Sequence, residues 1–134
     1  MSIYQENILD HYKNPRNKGK LKDTNAKHRE LNPLCGDEVE FGLKINNKEI
    51  EKVSFDGHGC AICMATASML AEYVDKKNIS DALSITKEDV FKMLSVPLSA
   101  PRVKCALLPL EVLQKAISNY VVKNVRSKTI ASIH

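Results

Sequence analysis

The stretch that most constrains the fold runs from residue 39 to residue 74, where a hydrophobic period of two gives way to a continuous apolar segment. Apolar side chains alternate with polar ones or glycine over 39–45, which predicts a strand with one buried face. Asn46-Asn47 predicts a turn, and Ile50 is out of phase in the strand that follows, which indicates a bulge. The sequence therefore predicts an antiparallel hairpin that ends near Gly57-His58-Gly59.

Helical patterns lie on both sides of this hairpin. Residues 3–12 have apolar side chains at roughly helical spacing. The segment from Cys60 to Val74 is apolar nearly all round, which is typical of a buried helix. Two short helices are expected next, with N-caps at Ser80 and Thr86. Helices that cover one face of a small antiparallel sheet make an α+β fold.

The rest of the chain is less regular. Residues 18–34 are polar and charged, and we expect residues 1–34 to form an N-terminal helix followed by an exposed, mobile segment. A last helix is expected to start near Cys105, since Pro109 is tolerated only in a first helical turn. Residues 121–134 are expected to form a basic tail that frays. The 134 residues are predicted to make a single domain.

Composition excludes several classes of function. The net charge of +4, from 20 basic and 16 acidic residues, is far below a nucleic-acid-binding footprint, and the absence of Trp removes a base-stacking platform. The N-terminus lacks the apolar stretch of a secretory signal, and the longest apolar run is too short to cross a bilayer. We therefore expect a cytoplasmic monomer or homodimer with no nucleic-acid or membrane partner.

Four cysteines need a chemical reason, because disulfides rarely persist in a reducing compartment. Cys60 and Cys105 each open a predicted helix, and a helix N-terminus favours a thiolate. Cys35 is followed by Gly36 and Asp37, whose carboxylate is a hard oxygen close to a soft sulfur. Three thiolates and a carboxylate suit tetrahedral zinc or one edge of an iron–sulfur cluster. The spacings are wide, so chemistry alone indicates a metal-binding or sulfur-handling site.

Four short motifs in order make the match more specific. They are Asp10-His11-Tyr12-Lys13-Asn14-Pro15-Arg16-Asn17, Cys35-Gly36-Asp37, Gly59-Cys60-Ala61-Ile62 with the small-residue segment 64–68, and Val103-Lys104-Cys105. Over roughly residues 3–120 the chain resembles the IscU/NifU N-terminal/SufU family of iron–sulfur cluster assembly scaffolds.

The resemblance implies a fold and a function. The implied fold is a three-stranded antiparallel sheet with helices packed on one face. The implied protein is a carrier and not an enzyme in the strict sense. It receives persulfide sulfur from a cysteine desulfurase, binds iron, assembles a transient [2Fe–2S] cluster and transfers it to apo-proteins. The family's ligand cysteines, also the persulfide-acceptor candidates, correspond to Cys35, Cys60 and Cys105, and its functional aspartate corresponds to Asp37.

Two departures concern the branch of the family. The IscU branch has His before the third cysteine, whereas this chain has Lys104, as in the SufU branch, yet the long insertion typical of SufU is absent. Residues 99–104 do not match the Leu-Pro-Pro-Val-Lys motif that a dedicated heat-shock chaperone, with its J-protein, grips in the IscU branch. A zinc-dependent SufU-type sulfurtransferase that activates a cysteine desulfurase, with zinc in the isolated protein, therefore stays open as an alternative.

Cys63 and His58 each have two interpretations. Cys63 is either an extra ligand or redox partner for Cys60, or a small core residue, and the second is favoured. A thiol–disulfide oxidoreductase that uses this pair is disfavoured, because the strand–helix–strand pattern of a thioredoxin-like protein is missing. His58 is either a fourth metal ligand or a partly exposed turn residue, and again the second is favoured.

Four further basic side chains lie near the motifs or in the N-terminal segment. Lys104 is interpreted as a residue that tunes the site or pairs with Asp37, because it adjoins Cys105 in the chain. The other interpretation of Lys104 is a solvated surface charge, and Arg102 has the same two interpretations without the adjacency to a cysteine. His11 and His28 are expected at the surface of the N-terminal segment.

Overall fold

In this computed structural model the backbone of residues 2–133 and the side chains of residues 2–125 are described. In chain order, the elements are α1 (Ile3–Lys13), β1 (Ala26–Asn32), β2 (Asp37–Asn46), β3 (Glu49–His58), α2 (Ala61–Val74), α3 (Ile79–Leu83), α4 (Lys87–Leu94) and α5 (Ala100–Ile133).

The three strands form one antiparallel sheet in the order β1-β2-β3, which confirms the predicted α+β class. Phe41 and Phe55 are register partners in β2 and β3, and their ring centroids lie 6.0 Å apart in the core. The irregularity predicted from Ile50 is a register shift between Lys44 and Ile45. The Asn25 side chain satisfies the backbone groups of Ile45 at this bulge. Its amide donates to the Ile45 carbonyl, and its oxygen accepts from the Ile45 N–H.

Helices cover one face of the sheet. Helix α5 packs on β1 and β2, α2 packs on β3, and α1 packs on α2. Helix α2 is buried around most of its surface, as predicted, and includes the buried polar side chains of Thr66 and Ser68. Thr86 caps α4 in a capping box with Asp89, also as predicted, whereas α3 begins at Ile79 with Asn78 as its N-cap instead of Ser80.

The segment 18–34, which we predicted to be exposed and mobile, contains strand β1. The alternation was missed because the half-buried face of β1 carries polar residues, among them His28 and Glu30. Just before β1, the chain also pairs with β3: the Phe55 N–H donates to the Asn17 carbonyl, and the Phe55 carbonyl accepts from the Gly19 N–H.

Helix α5 differs from its prediction at both ends. It begins at Ala100, so that Cys105 lies in its second turn and Pro109 in its third, rather than both lying in the first. It continues to Ile133, so the backbone of the expected basic tail is helical over 121–133. The side chains from 126 onward lie outside the described ones. Nowhere in the described chain does a helix combine the length and apolar character needed to cross a membrane.

His11 is buried, contrary to the expected surface position. Its side chain is 5% exposed, and its Nδ1 lies 2.8 Å from the Ser68 hydroxyl oxygen on α2. The same hydroxyl accepts a hydrogen bond from the Arg16 N–H. This contact ties the end of α1 to the middle of α2, whose N-cap is Cys60.

Candidate metal and sulfur site

Three of the four residues predicted as ligands converge at one end of the sheet. One ligand atom each from Cys35, Asp37 and Cys105 lie within 4.8 Å of one another. The sulfur atoms of Cys35 and Cys105 are 3.6 Å apart. Cys35 lies in the turn between β1 and β2, Asp37 begins β2, and Cys105 comes from α5, which packs on both strands. The sheet and the long helix together therefore close a sequence gap of 70 residues.

The turn that carries Cys35 is organised by Asn32. The Asn32 carbonyl accepts from the Gly36 N–H at 2.8 Å, and its side-chain oxygen accepts from the Leu34 N–H at 3.1 Å. The side-chain amide then points its donor at the Cys35 sulfur, 3.0 Å away. Gly36 has φ 73°, a conformation that glycine adopts without strain. Sequence reasoning missed Asn32, although an Asn-Pro pair just before the cysteine was the available signal.

Asp37 is a buried carboxylate with only one satisfied oxygen. Its Oδ1 accepts from the Cys60 N–H at 3.0 Å, whereas its Oδ2 is buried and has no hydrogen-bond partner among the described residues. A buried acceptor without a donor costs about 1–3 kcal/mol. Gly59 is required beside it, because a Cβ there would lie 2.7 Å from Oδ1. A bound cation would satisfy this unpaired oxygen and could also be bound by the two nearby sulfurs.

Cys60 is placed as the sequence predicted, at the start of α2. It is the N-cap residue, and its sulfur accepts the Cys63 N–H at 3.4 Å. It lies outside the closest group of three ligand atoms, yet its thiol contributes to the raised pKa of Cys105. All four predicted ligands therefore belong to one neighbourhood, with Cys60 at its edge.

Cys105 does not have the helix N-terminal environment that was predicted. Its side chain is 1% exposed. Burial raises the pKa of the Cys105 thiol far above its usual range, and the adjacent Asp37 carboxylate, Cys35 and Cys60 raise it further. In the absence of a cation, this sulfur is therefore held as a neutral thiol.

Arg102 interacts electrostatically with the thiols of the site. It lies in the first turn of α5, and the attraction of Cys60, and then more weakly that of Cys105, raises the pKa of the Arg102 guanidinium. Lys104 is exposed and borders a groove that Glu30 and Glu111 also line. Among described side chains it has no ion pair with Asp37.

The two auxiliary candidates lie apart from the convergent group. The His58 side chain is 73% exposed, with Nδ1 3.8 Å from a Glu38 carboxylate oxygen on the outer side of the sheet. Cys63 is completely buried in the core. Burial raises the pKa of the Cys63 thiol strongly, and the nearby Asp37 carboxylate and Cys60 add to it.

Comparison with known proteins identifies the family. Residues 3–127 match the model of the NifU-like N-terminal domain. The chain belongs to this family. It is 41% identical over 132 residues to the iron–sulfur cluster assembly scaffold protein IscU of Aquifex aeolicus, covering 97% of this chain and 83% of that protein. The family predicted from the four motifs is therefore confirmed.

Relatives from the other branch are also similar. The zinc-dependent sulfurtransferase SufU of Bacillus subtilis is 34% identical over 134 residues, covering 87% of this chain and 90% of that protein. Among solved structures, the SUF-system scaffold protein of Fervidobacterium islandicum AW-1 superimposes with a TM-score of 0.75 at 26% identity, covering 87% of this chain and 96% of that one. The NifU-like fold is thus shared across both branches.

Proposed function

We propose that this protein is a scaffold that assembles a [2Fe–2S] cluster from iron and persulfide sulfur supplied by a cysteine desulfurase, and then transfers the cluster to apo-proteins. The observation that carries the proposal is the buried Asp37 Oδ2, unsatisfied and grouped with the sulfurs of Cys35 and Cys105. Iron and sulfide are cargo on this view, so the site has to bind them and also give them up.

The donor set fits that cargo. Thiolates from Cys35, Cys60 and Cys105 are the ligands that iron–sulfur clusters take. Asp37 adds a hard oxygen, which holds iron less firmly than a fourth thiolate would. Because Asp37 begins β2 and its other oxygen is fixed by the Cys60 N–H, the weak ligand is held in place instead of being supplied by a mobile side chain. We assign Asp37 the role of easing cluster release.

The three thiols differ in exposure, and we use this difference to assign which of them accept sulfur. Cys35 is exposed in its turn and Cys60 is partly exposed, whereas Cys105 is buried. In persulfide transfer, a thiolate here attacks the outer sulfur of the desulfurase persulfide, and the desulfurase thiolate leaves. We assign acceptance to Cys35 and Cys60, the second of which has the Arg102 guanidinium nearby, and we assign Cys105 to binding alone.

A zinc-dependent sulfur acceptor is the second candidate. Its motivation is the same donor set, since three thiolates and a carboxylate also fit tetrahedral zinc, which would keep the cysteines deprotonated when bound. The SufU relative is named a zinc-dependent sulfurtransferase. In this function Cys35 or Cys60 would accept the sulfur, the protein would accelerate the desulfurase, and no cluster would form.

Anaerobic reconstitution with ferrous iron, cysteine, dithiothreitol and a cysteine desulfurase separates the two functions. Ultraviolet–visible spectra and iron and sulfide analysis are recorded for the native chain and for Cys35→Ser, Cys60→Ser, Cys105→Ser and Asp37→Ala. Asp23→Ala is the matched acidic control, because Asp23 is 83% exposed on the surface.

A scaffold gives a [2Fe–2S] spectrum that each cysteine variant loses. Asp37→Ala should hold the cluster more firmly, with slower transfer to an apo-ferredoxin, while Asp23→Ala behaves like the native chain. If no cluster forms, and desulfurase turnover rises only with zinc bound, the protein is a sulfur acceptor and the scaffold proposal fails.

A further inference from the structure

The convergent site leaves one thiol without a role. Cys63 lies beneath Cys60 on the first turn of α2, fully buried, and the proposed ligand set does not include it. The two residues form a Cys-Ala-Ile-Cys sequence at a helix N-terminus. A Cys-x-x-Cys pair at that position has a partly exposed first sulfur and a shielded second one, an arrangement suited to closing a disulfide.

The local geometry brings the two cysteines together. Cys60 is the N-cap in extended conformation, and its sulfur is hydrogen-bonded to the Cys63 N–H at 3.4 Å, so the first sulfur lies over the backbone of the second residue. A disulfide needs Cβ atoms about 3.5–4.5 Å apart. Because Cys60 precedes the first helical residue, a small change of its extended backbone, together with rotation of both side chains, can bring the two sulfurs into bonding distance while α2 stays helical.

We propose that Cys63 is an internal reductant that releases sulfide from a persulfide carried on Cys60. This inference rests on the proposed sulfur acceptance at Cys60. The anionic outer sulfur of the persulfide first takes the Cys63 proton, and the resulting Cys63 thiolate attacks the Cys60 sulfur to form a Cys60–Cys63 disulfide. The bond between the Cys60 sulfur and the outer sulfane sulfur breaks, and the outer sulfur leaves as hydrosulfide with that proton.

Atoms and electrons balance without another reactant. The sulfane sulfur gains two electrons, which the two cysteine sulfurs lose on becoming a disulfide. A cellular dithiol then resets the pair by ordinary thiol–disulfide exchange. The product is sulfide, the oxidation state that a cluster contains, formed at the edge of the site where Cys35, Asp37 and Cys105 converge.

The neighbouring Cys105 is the competing source of electrons, because its thiol also lies near Cys60. Trypsin separates the two possibilities. Residues 53–76 form one tryptic peptide that contains both Cys60 and Cys63, whereas Cys105 lies in the peptide 105–115. A Cys60–Cys63 disulfide leaves the first peptide two hydrogens lighter, and a Cys60–Cys105 disulfide joins the two peptides.

The experiment loads metal-free protein with inorganic polysulfide, desalts it anaerobically without thiol, and follows sulfide by bimane trapping and the peptides by mass spectrometry. The native chain is compared with Cys63→Ser and Cys63→Ala, which remove the thiol with and without a polar group in the core. We expect equimolar sulfide and Cys60–Cys63 disulfide in the native chain. Both variants should instead keep an extra sulfur on Cys60 and release at least about tenfold less sulfide.

Three results would overturn the inference: a persulfide on Cys60 as stable in the native chain as in the variants, a cross-link to Cys105, or no sulfur on Cys60 in the two variants. None of these depends on a desulfurase. The proposed function is judged separately, by cluster assembly in the presence of dithiothreitol, where an external thiol replaces Cys63. Failure of one test is therefore distinguishable from failure of the other.

Discussion

Helices α2 and α5 each bring one cysteine to the site, and the two thiols are placed in opposite environments. Cys60 caps the N-terminus of α2, is partly exposed, and has both a backbone N–H and the Arg102 guanidinium beside it. Cys105 lies one turn inside α5, is 1% exposed, and faces the Asp37 carboxylate. Burial and the nearby carboxylate oppose a negative sulfur at Cys105, whereas Cys60 has hydrogen-bond donors beside it.

This difference indicates that the cysteines of the two helices have different functions. A partly exposed sulfur such as that of Cys60 suits the acceptance of incoming sulfur. A sulfur that becomes a thiolate only when a cation compensates the nearby carboxylate suits metal binding. Three predictions test this difference, a fourth tests the contact between α1 and α2, and all four use the metal-free protein.

The largest expected effect is a difference in alkylation rate between the two thiols. Only the thiolate reacts with iodoacetamide. Because burial and the Asp37 carboxylate raise the pKa of Cys105, we expect Cys60 to react about a hundredfold faster than Cys105 at pH 7.5. Quenched time points, digested with trypsin and quantified by mass spectrometry, give both rates in one sample. Cys63→Ser simplifies the Cys60 peptide, and equal rates would remove the distinction.

The second prediction concerns the carboxylate. Asp37→Asn removes a negative charge from beside Cys105 and keeps an oxygen to accept the Cys60 N–H. The pKa of Cys105 should fall, and its alkylation should become about tenfold faster. The Cys60 rate should change much less. The matched control is Asp23→Asn on the surface, and an unchanged Cys105 rate in Asp37→Asn would show that burial alone raises the pKa.

The third prediction concerns the guanidinium. Arg102→Ala should slow alkylation of Cys60 about fivefold, since the positive charge beside its sulfur is lost. Arg102→Lys should recover part of the rate. Lys104→Ala is the control, because Lys104 is also a basic residue of the first turns of α5 but borders the groove lined by Glu30 and Glu111. If Lys104→Ala slows Cys60 and Arg102→Ala does not, our assignment of the site cation is wrong.

Sequence reasoning located the elements with strong hydrophobic patterns and the residues with strong motifs. The β2–β3 hairpin was predictable from its period of two, the bulge near Ile50 from a break in that period, and the buried helix α2 from a long run of apolar side chains. Strand β1 was missed, since its half-buried face is polar and its partners are supplied by β2 and α5. A pairing of this kind is decided by tertiary contacts rather than by local pattern.

The candidate site shows the same limit. The four proposed ligands were identified from motifs, but their charges were not. Adjacency in the chain suggested Lys104 as the cation of the site, whereas the early start of α5 at Ala100 places Arg102 beside the thiols instead. An error of five residues in the start of one helix was enough to reverse the environment predicted for Cys105 as well.

The smallest expected effect is a pH dependence confined to the α1–α2 side. Burial, and then the nearby Arg16, lower the pKa of His11 from 6.5, with Glu72 and Asp10 opposing the shift. The unfolded chain therefore binds this proton more readily, so stability is full above pH 6.5 and declines as pH falls through that value toward the lowered folded pKa. Urea unfolding at pH 7.5 and 5.5 should show a smaller decline for His11→Gln than for the native chain. The control is His58→Gln, because His58 is exposed, and the decline in stability between pH 7.5 and 5.5 should match that of the native chain. Equal declines in all three chains would mean that the His11–Ser68 contact survives protonation. The pH dependence of stability would then not arise from the packing of α1 on α2.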